Sequence, residues 1–306
     1  MAHFDPRGEV APHTRRHVTA LAEATDELVV VTTAELGAEA RAFLSARARL
    51  VERRNEGYDF FSYKVGLDVA GDLTRWDEVV VCNDSFIGPL RPYPEIFAAM
   101  VDRPVDFWGM SRNNRPAPHL QSYFFVVRPW LAGSRAFQDF WRDMTPRSVR
   151  AQVIKHYEVG MSATFTAAGF TYDTYFDYDE REARLGLARA RWAALHHWEL
   201  PRSVVTLKRF LRLFAAFNPA AGLADAALDG ARLPLVKVDT LRYDPYYLGA
   251  DSLLAACEQR YPREFDGVRA YLERTQTSYA ERPSHIARPA PWPIRPAGRL
   301  LAYRTG

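Results

Sequence analysis

Asn83, Asp84 and Ser85 are the residues of this sequence best placed to do chemistry. They follow the apolar run Val79-Val80-Val81-Cys82 and precede Gly88-Pro89. A short β-branched run that stops at polar residues and a Gly-Pro pair reads as a buried strand delivering those residues to a sheet edge. In open α/β sheets, ligands bind outside the carboxyl ends of the strands. A carboxylate flanked by an amide and a hydroxyl offers the hard oxygen donors that Mg²⁺ or Mn²⁺ on a diphosphate requires. The same triplet can instead close an Asx turn and satisfy only local backbone.

A second polar strand end lies upstream. Leu50-Val51 runs into a turn at Asn55 and Gly57, and Asp59 stands where a helix begins through Phe60, Phe61 and Tyr63. Asp at a helix start caps exposed N–H groups. Asn and Gly at a strand–loop junction also let a nucleotide approach the backbone closely. Two such ends in successive units of one sheet point to a shared cleft.

The elements that must hold these residues alternate. Helices are expected over 14–24, 38–46, 61–71, 94–101, 134–144 and 147–168, and strands over 27–32, 49–53, 78–82, 106–110 and 120–127. That order predicts an α/β fold with a mostly parallel sheet covered by helices on both faces. The chain has 306 residues, 48% of them hydrophobic, enough for one large core and a helical appendage. A net charge of +3 gives no footprint for nucleic acid. Cys82 and Cys257 are far apart and read as reduced thiols of a cytoplasmic protein. No signal-peptide pattern is present, and no apolar run approaches the roughly 20 residues that span a bilayer.

The motifs resemble the rhamnan synthesis F family, glycosyltransferase-like proteins of bacterial surface-polysaccharide assembly. The resemblance is carried by His3-Phe4-Asp5-Pro6-Arg7-Gly8-Glu9-Val10, Arg54-Asn55-Glu56-Gly57-Tyr58-Asp59-Phe60 and Cys82-Asn83-Asp84-Ser85-Phe86-Ile87-Gly88-Pro89-Leu90. It continues through Val105-Asp106-Phe107-Trp108-Gly109-Met110, His119-Leu120-Gln121-Ser122-Tyr123-Phe124, Tyr157-Glu158-Val159-Gly160-Met161-Ser162 and Leu233-Pro234-Leu235-Val236-Lys237-Val238. Each piece is weak singly; the set in this order is specific. It implies a GT-A-like (Rossmann-like) transferase that moves a sugar, rhamnose among the candidates, from a nucleotide-sugar donor to a growing polysaccharide or lipid-linked glycan. A GT-A-like sheet normally opens on an apolar strand before the His3-Phe4-Asp5 segment. Here the first strand is either very short or begins further upstream.

Under that resemblance the residues take roles. Arg54, Asn55, Gly57 and Asp59 would meet the nucleotide, with Asn83 and Asp84 beside it. Asp84 and Ser85 would hold a divalent cation, Mg²⁺ or Mn²⁺, although one carboxylate departs from the Asp-x-Asp pattern of many GT-A enzymes. Lys237 would meet the diphosphate instead, or be an ordinary lysine after a strand. Glu158 would be the base that takes the acceptor proton in an inverting reaction, or a helix-surface Glu paired with Lys155 or His156. His119, Gln121, Ser122 and Tyr123 would contact sugar or acceptor. Trp108 would stack on a sugar or fill the core.

The organisation expected is a core at 1–178, a helical acceptor-side region at 179–280 returning to the core near 233–240, and a tail at 281–306. Residues 204–217 hold Lys208, Arg209 and Arg212 among apolar positions. They read as a core helix with snorkelling cations or as a peripheral contact with the inner face of a membrane. Between Pro283 and Pro296 lie five prolines, an extended arm. A non-catalytic member that binds a glycan or a partner transferase stays open, as does a nucleotidyltransferase. The absence of a G-x-x-x-x-G-K-[ST] loop argues against a P-loop NTPase.

Overall fold

The structure is a computed structural model and describes residues 1–196, 216–279 and 297–306. The basic stretch 204–217 falls mostly outside the described residues, as does the proline-rich arm. The chain forms two compact units. The first comprises Met1–Ser85, Arg91–Ser111 and Pro118–Tyr175; the second comprises Phe86–Leu90, Arg112–Ala117 and Phe176–Gly306.

Strands in chain order are β1 Ala2–His3, β2 Val29–Thr32, β3 Arg49–Glu52, β4 Val79–Cys82, β5 Phe86–Ile87, β6 Phe107–Gly109, β7 Arg112–Asn113, β8 His119–Leu120, β9 Phe124–Val127, β10 Tyr172–Thr174 and β11 Val236–Lys237. In the first unit, β1, β2 and β3 form a parallel sheet, with Ala2 opposite Val31 and Val29 opposite Arg49. A second sheet runs β10-β6-β9-β4. Here β9 is antiparallel to both neighbours, Val81 facing Phe125 and Phe107 facing Val127. The expected mostly parallel sheet thus resolves into two small sheets, joined by one parallel bridge from Ala2 to Asn83. The antiparallel strand has a simple cause: β9 returns from β6 without an intervening helix, and only a long crossover permits a parallel neighbour.

The β-branched runs of β2 and β4 suit a pleated surface. Phe124, Phe125, Val126 and Val127 have no exposed surface, as a strand buried on both faces demands. The first helices are α1 Pro12–Ala24, α2 Ala38–Ser45, α3 Tyr58–Ala70 and α4 Tyr93–Val101. Phe60, Tyr63 and Leu67 give α3 its buried stripe, and they join Phe107, Phe125 and Trp141 in the core. Gly57 caps α3 with φ +69; a Cβ there would lie 2.6 Å from Phe61 Cβ, so only glycine makes this turn.

The long helix expected at 147–168 is three pieces. After the short helices α5 Pro129–Ala132 and α6 Arg135–Arg142 come α7 Arg150–Val153, a π-helical turn over Ile154–Glu158, and α8 Val159–Ala167. Single π turns within α-helices are rare and concentrate at functional sites.

In the second unit, β5 pairs antiparallel with β11, and a helix spans Glu180–His196. Arg189 of that helix is fully buried. Its guanidinium donates to Asp225 Oδ1 at 2.7 Å and Oδ2 at 2.8 Å, and to the carbonyls of Gly222, Leu301 and Ala302. Among the described residues no helix is long and apolar enough to cross a membrane.

Candidate functional site

The two polar strand ends meet in the first unit. Asn83, just beyond β4, donates its Nδ2–H to Asp59 Oδ2 at 2.8 Å, in the first turn of α3. Asp59 therefore does not cap its helix by itself; Gly57 holds the cap position and Asp59 faces the end of β4. Asn83 Oδ1 accepts the backbone N–H of Ser85 at 3.1 Å and its hydroxyl at 2.6 Å. The turn reading and the cleft reading of the triplet are both realised, by different ends of one amide.

Asp84 sits half-buried between these groups and β1. Its Oδ2 accepts the Phe4 N–H at 2.8 Å and lies 3.9 Å from His3 Nε2. Burial pushes the carboxyl up to about 7; the Phe4 N–H opposes this, and the charges of Asp59 and Asp5 add to it. His3, buried and bonded through Nδ1 to Thr32 Oγ1 at 2.9 Å, is pushed by burial down to about 4 and is neutral at pH 7.

A second carboxylate is held by other elements. Glu158, the last residue of the π turn, accepts the Ser122 hydroxyl on Oε2 at 2.6 Å. Its Oε1 lies 3.2 Å from His119 Nε2, and the Glu158 side chain is 20% exposed while the His119 side chain shows no surface. The paired-with-Lys155-or-His156 reading gives way to this inward arrangement. Ser122 is fixed in turn, since Tyr63 donates its hydroxyl to the Ser122 carbonyl at 2.8 Å. The Asn83 N–H donates to the Tyr123 carbonyl at 3.0 Å, which ties the end of β4 to the Gln121–Tyr123 turn. Burial raises the Tyr63 phenol well above its ordinary range, and Asp59, Glu158 and Asp84 all push the same way.

Several expected contacts are placed elsewhere. Trp108 is fully buried; its Nε1–H meets Glu78 Oε1 at 3.1 Å and its ring packs on Phe97 and Phe124. It fills the core, because a ring with no exposed face has nothing to offer a sugar. His119, Gln121, Ser122 and Tyr123 are also buried. Gln121 Oε1 accepts from Ser111 Oγ at 2.7 Å, and Tyr123 Oη is 2.5 Å from that same hydroxyl. Two of this group, His119 and Ser122, hold Glu158; the other two brace the turn. Lys237 is half-buried on β11, a strand of the second unit.

Arg54 and Asn55 are exposed on the loop before α3. The residue that shapes this loop is their neighbour Arg53, which sequence reasoning missed. Arg53 donates to the carbonyls of Arg54, Glu56 and Tyr58 and to Ser62 Oγ, and lies over the Phe61 ring. Its only advance signal was position, the residue directly after a strand end.

A divalent cation was expected on Asp84 and Ser85. Ser85 Oγ and Asn83 Oδ1 are engaged with each other, and among the described residues no group of three or more His, Cys, Asp or Glu could hold a metal.

The profile described as "Rhamnan synthesis protein F" matches residues 28–208. The chain belongs to the rhamnan synthesis protein F family. That match takes in Asp59, Asn83, Asp84, Ser122 and Glu158. Among similar proteins, the virulence protein VirA of Vibrio anguillarum is 37% identical over 124 residues, 39% of each chain. The uncharacterized protein y4gN of Sinorhizobium fredii is 28% identical over 126 residues, 40% of this chain and 33% of its own. The matched region thus spans well under half of each curated relative. No solved structure matches the chain.

Proposed function

We propose that the first unit is a GT-A-like glycosyltransferase core that moves a sugar, rhamnose being the leading candidate, from a nucleotide-sugar donor to a polysaccharide or lipid-linked glycan. Family membership supports a role in polysaccharide synthesis. The bridge from Ala2 to Asn83 supports the GT-A reading, since it would order the strands β3-β2-β1-β4-β9-β6-β10 with one antiparallel member.

The observation that carries the catalytic reading is Glu158, partly exposed on a π turn and gripped by Ser122 and a buried His119. Glycosyl transfer needs a base that takes the acceptor proton and an arrangement that holds the reactants in line. Glu158 is the base. Ser122 and His119 fix its orientation. Attack from its side inverts the anomeric centre. Asp59 and the loop of Arg54, Asn55 and Gly57 receive the nucleotide. Asp84 supplies one carboxylate to a cation that arrives with the diphosphate, in keeping with the habit of Mg²⁺ to bind through one or two carboxylates plus phosphates. The acceptor is presented at the inner face of the membrane, by peripheral contact.

A second reading is favoured by one observation. Asn83 and Ser85 are locked to each other and to Asp59, which leaves a single carboxylate at the strand end. A non-catalytic GT-A-like protein that binds nucleotide, glycan or partner would look like this.

One experiment separates the two. Thermal-shift titration with nucleoside diphosphates and nucleotide sugars, an activated rhamnose among them, is run with and without Mn²⁺ on the wild type and Glu158→Gln. Stabilisation of both proteins, with slow donor hydrolysis or transfer in the wild type and its loss in the variant, supports transfer. Binding with no turnover in either favours the non-catalytic reading. No shift with any nucleotide overturns transfer and leaves the glycan- or partner-binding reading.

A further inference from the structure

Tyr58 opens α3 with φ +55, directly after Gly57 with φ +69. Glycine adopts such angles freely; for a bulky residue they are strained. Strained residues persist only where their surroundings impose them, and they gather at ligand sites. Here Arg53 holds the Tyr58 carbonyl at 3.0 Å, and the next residue, Asp59, is bonded to Asn83. These contacts account for the backbone and not for the ring. Tyr58 is 43% exposed, whereas Phe60 of the same turn is buried. Asparagine would suit this backbone better.

The ring is nonetheless fixed. Its hydroxyl donates to the Ser148 carbonyl at 3.2 Å, which lays the side chain across to the 145–149 loop. That loop is anchored in turn. The Tyr157 hydroxyl donates to the Thr145 carbonyl at 2.6 Å and accepts the Arg147 Nε–H at 3.2 Å. A Cβ on Gly57 would lie 3.1 Å from Pro146 Cα, so the two loops are in contact. A tyrosine held at both ends is a flat, preset surface that loses little conformational freedom when a ligand covers it.

The neighbours of the ring fit a ligand. Asp59 accepts the Asn83 amide at 2.8 Å, and Asp84 follows Asn83 in the chain. Asp84 accepts the Phe4 N–H at 2.8 Å, and the Phe4 side chain is itself exposed. Val149, directly after Ser148, is exposed as well. Exposed apolar side chains scattered singly mean little; bordering one polar strand end, they mark a place that receives something apolar.

We propose that Tyr58 is the stacking platform for the nucleobase of the donor, an inference that rests on the nucleotide-sugar reading above. Under that reading Glu158 takes the reacting sugar and Asp84 the diphosphate with its cation. The flat aromatic end of the donor is then left for the ring beside Asp59. An ionised Asp59 only accepts hydrogen bonds, so it suits a base N–H or a ribose hydroxyl.

The test measures calorimetric binding of the uridine, thymidine, guanosine, adenosine and cytidine diphosphates, and of inorganic diphosphate, which has no base. The proteins are wild type, Tyr58→Asn, Tyr58→Phe and, as a control, Trp130→Ala, which removes an exposed aromatic ring on α5. Asparagine relieves the backbone and removes the ring; phenylalanine keeps the ring and removes the bond to Ser148. Tyr58→Asn is expected to keep or raise the melting temperature and to weaken the preferred nucleoside diphosphate about 10-fold, with inorganic diphosphate unchanged. Tyr58→Phe and Trp130→Ala are expected to bind nucleotide within about 2-fold of wild type, since neither removes the stacked ring. Wild-type nucleotide affinity in Tyr58→Asn would overturn the stacking role while leaving the nucleotide-sugar reading in place. So would equal losses for nucleotide and inorganic diphosphate with a lowered melting temperature, the pattern of a purely structural tyrosine. Binding of no nucleoside diphosphate by the wild type would overturn the proposal together with the reading it rests on.

Discussion

Arg53 and Arg54 are adjacent, equally basic and expected to behave in opposite ways. The Arg53 guanidinium makes bonds of 2.8 Å to the carbonyls of Arg54 and Glu56, 3.0 Å to Tyr58, and 2.8 Å and 3.1 Å to Ser62 Oγ. A lysine cannot reproduce a fork that closes on three carbonyls and a hydroxyl. Each bond to a charged donor is worth about 1.5–3 kcal/mol. The loop is exposed, however, so the released carbonyls regain water and most of that value returns. The net loss in Arg53→Lys is then about 1–2 kcal/mol, a melting-temperature drop of about 2–3 °C. Arg54 is exposed, and Arg54→Ala should stay within about 0.5 kcal/mol of wild type. Thermal unfolding of the two variants side by side measures the contrast. Titration with whichever nucleoside diphosphate binds the wild type adds the functional half. Arg53→Lys should weaken binding by loosening the loop, and Arg54→Ala should weaken it only by removing a charge, with a reduced salt dependence. Equal melting temperatures for both variants would refute the idea that Arg53 shapes this loop.

Asp225→Ala strands the fully buried Arg189 charge and should cost about 3–5 kcal/mol in urea unfolding, while Arg189→Met combined with Asp225→Ala should cost less than the two single changes summed. Asp84 binds its proton more tightly folded than unfolded, so its contribution to stability is full below about pH 4 and declines as pH rises to and through about 7. The ceiling on that decline is about 4 kcal/mol. His3, with its lowered pKa, works in the other direction over part of the same window. Comparing wild type with Asp84→Asn isolates the Asp84 share, because an amide can still accept the Phe4 N–H. The variant should match wild type near pH 4 and exceed it at pH 7.5; parallel profiles would remove the raised carboxyl from the account.

Much of the architecture was legible because hydrophobic period and punctuation are local. The β-branched runs at 29–32 and 79–82 and the stripe through Phe60, Tyr63 and Leu67 declare themselves within a few residues. Strand direction was not legible. That β9 runs antiparallel depends on the path of residues 110–123, which carry no helical period to show how the chain returns. The break of one expected helix into α7, a π turn and α8 was equally hidden, since an extra residue in a turn leaves composition unchanged.

The site divides along the same line. A shared cleft for Asn83 and Asp59 could be expected in advance because both follow strand ends of successive units; their direct bond could not. The grip on Glu158 could not, because His119 and Ser122 reach it from 39 and 36 residues away, across a turn whose shape is set by Tyr63 and Asn83. Residue types that suit sugar contact, such as His, Gln, Ser and Trp, also suit the inside of a hydrogen-bonded support, and only burial separates the two uses. In this chain Trp108 fills the core, and His119, Gln121, Ser122 and Tyr123 are buried in hydrogen bonds. The partly exposed chemistry is left with carboxylates, Asp59, Asp84 and Glu158. An anionic donor entering such a site must bring compensating charge with it or find it on the loop of Arg54, and that requirement makes cation dependence and Arg54 the two quantities most informative about what the site binds.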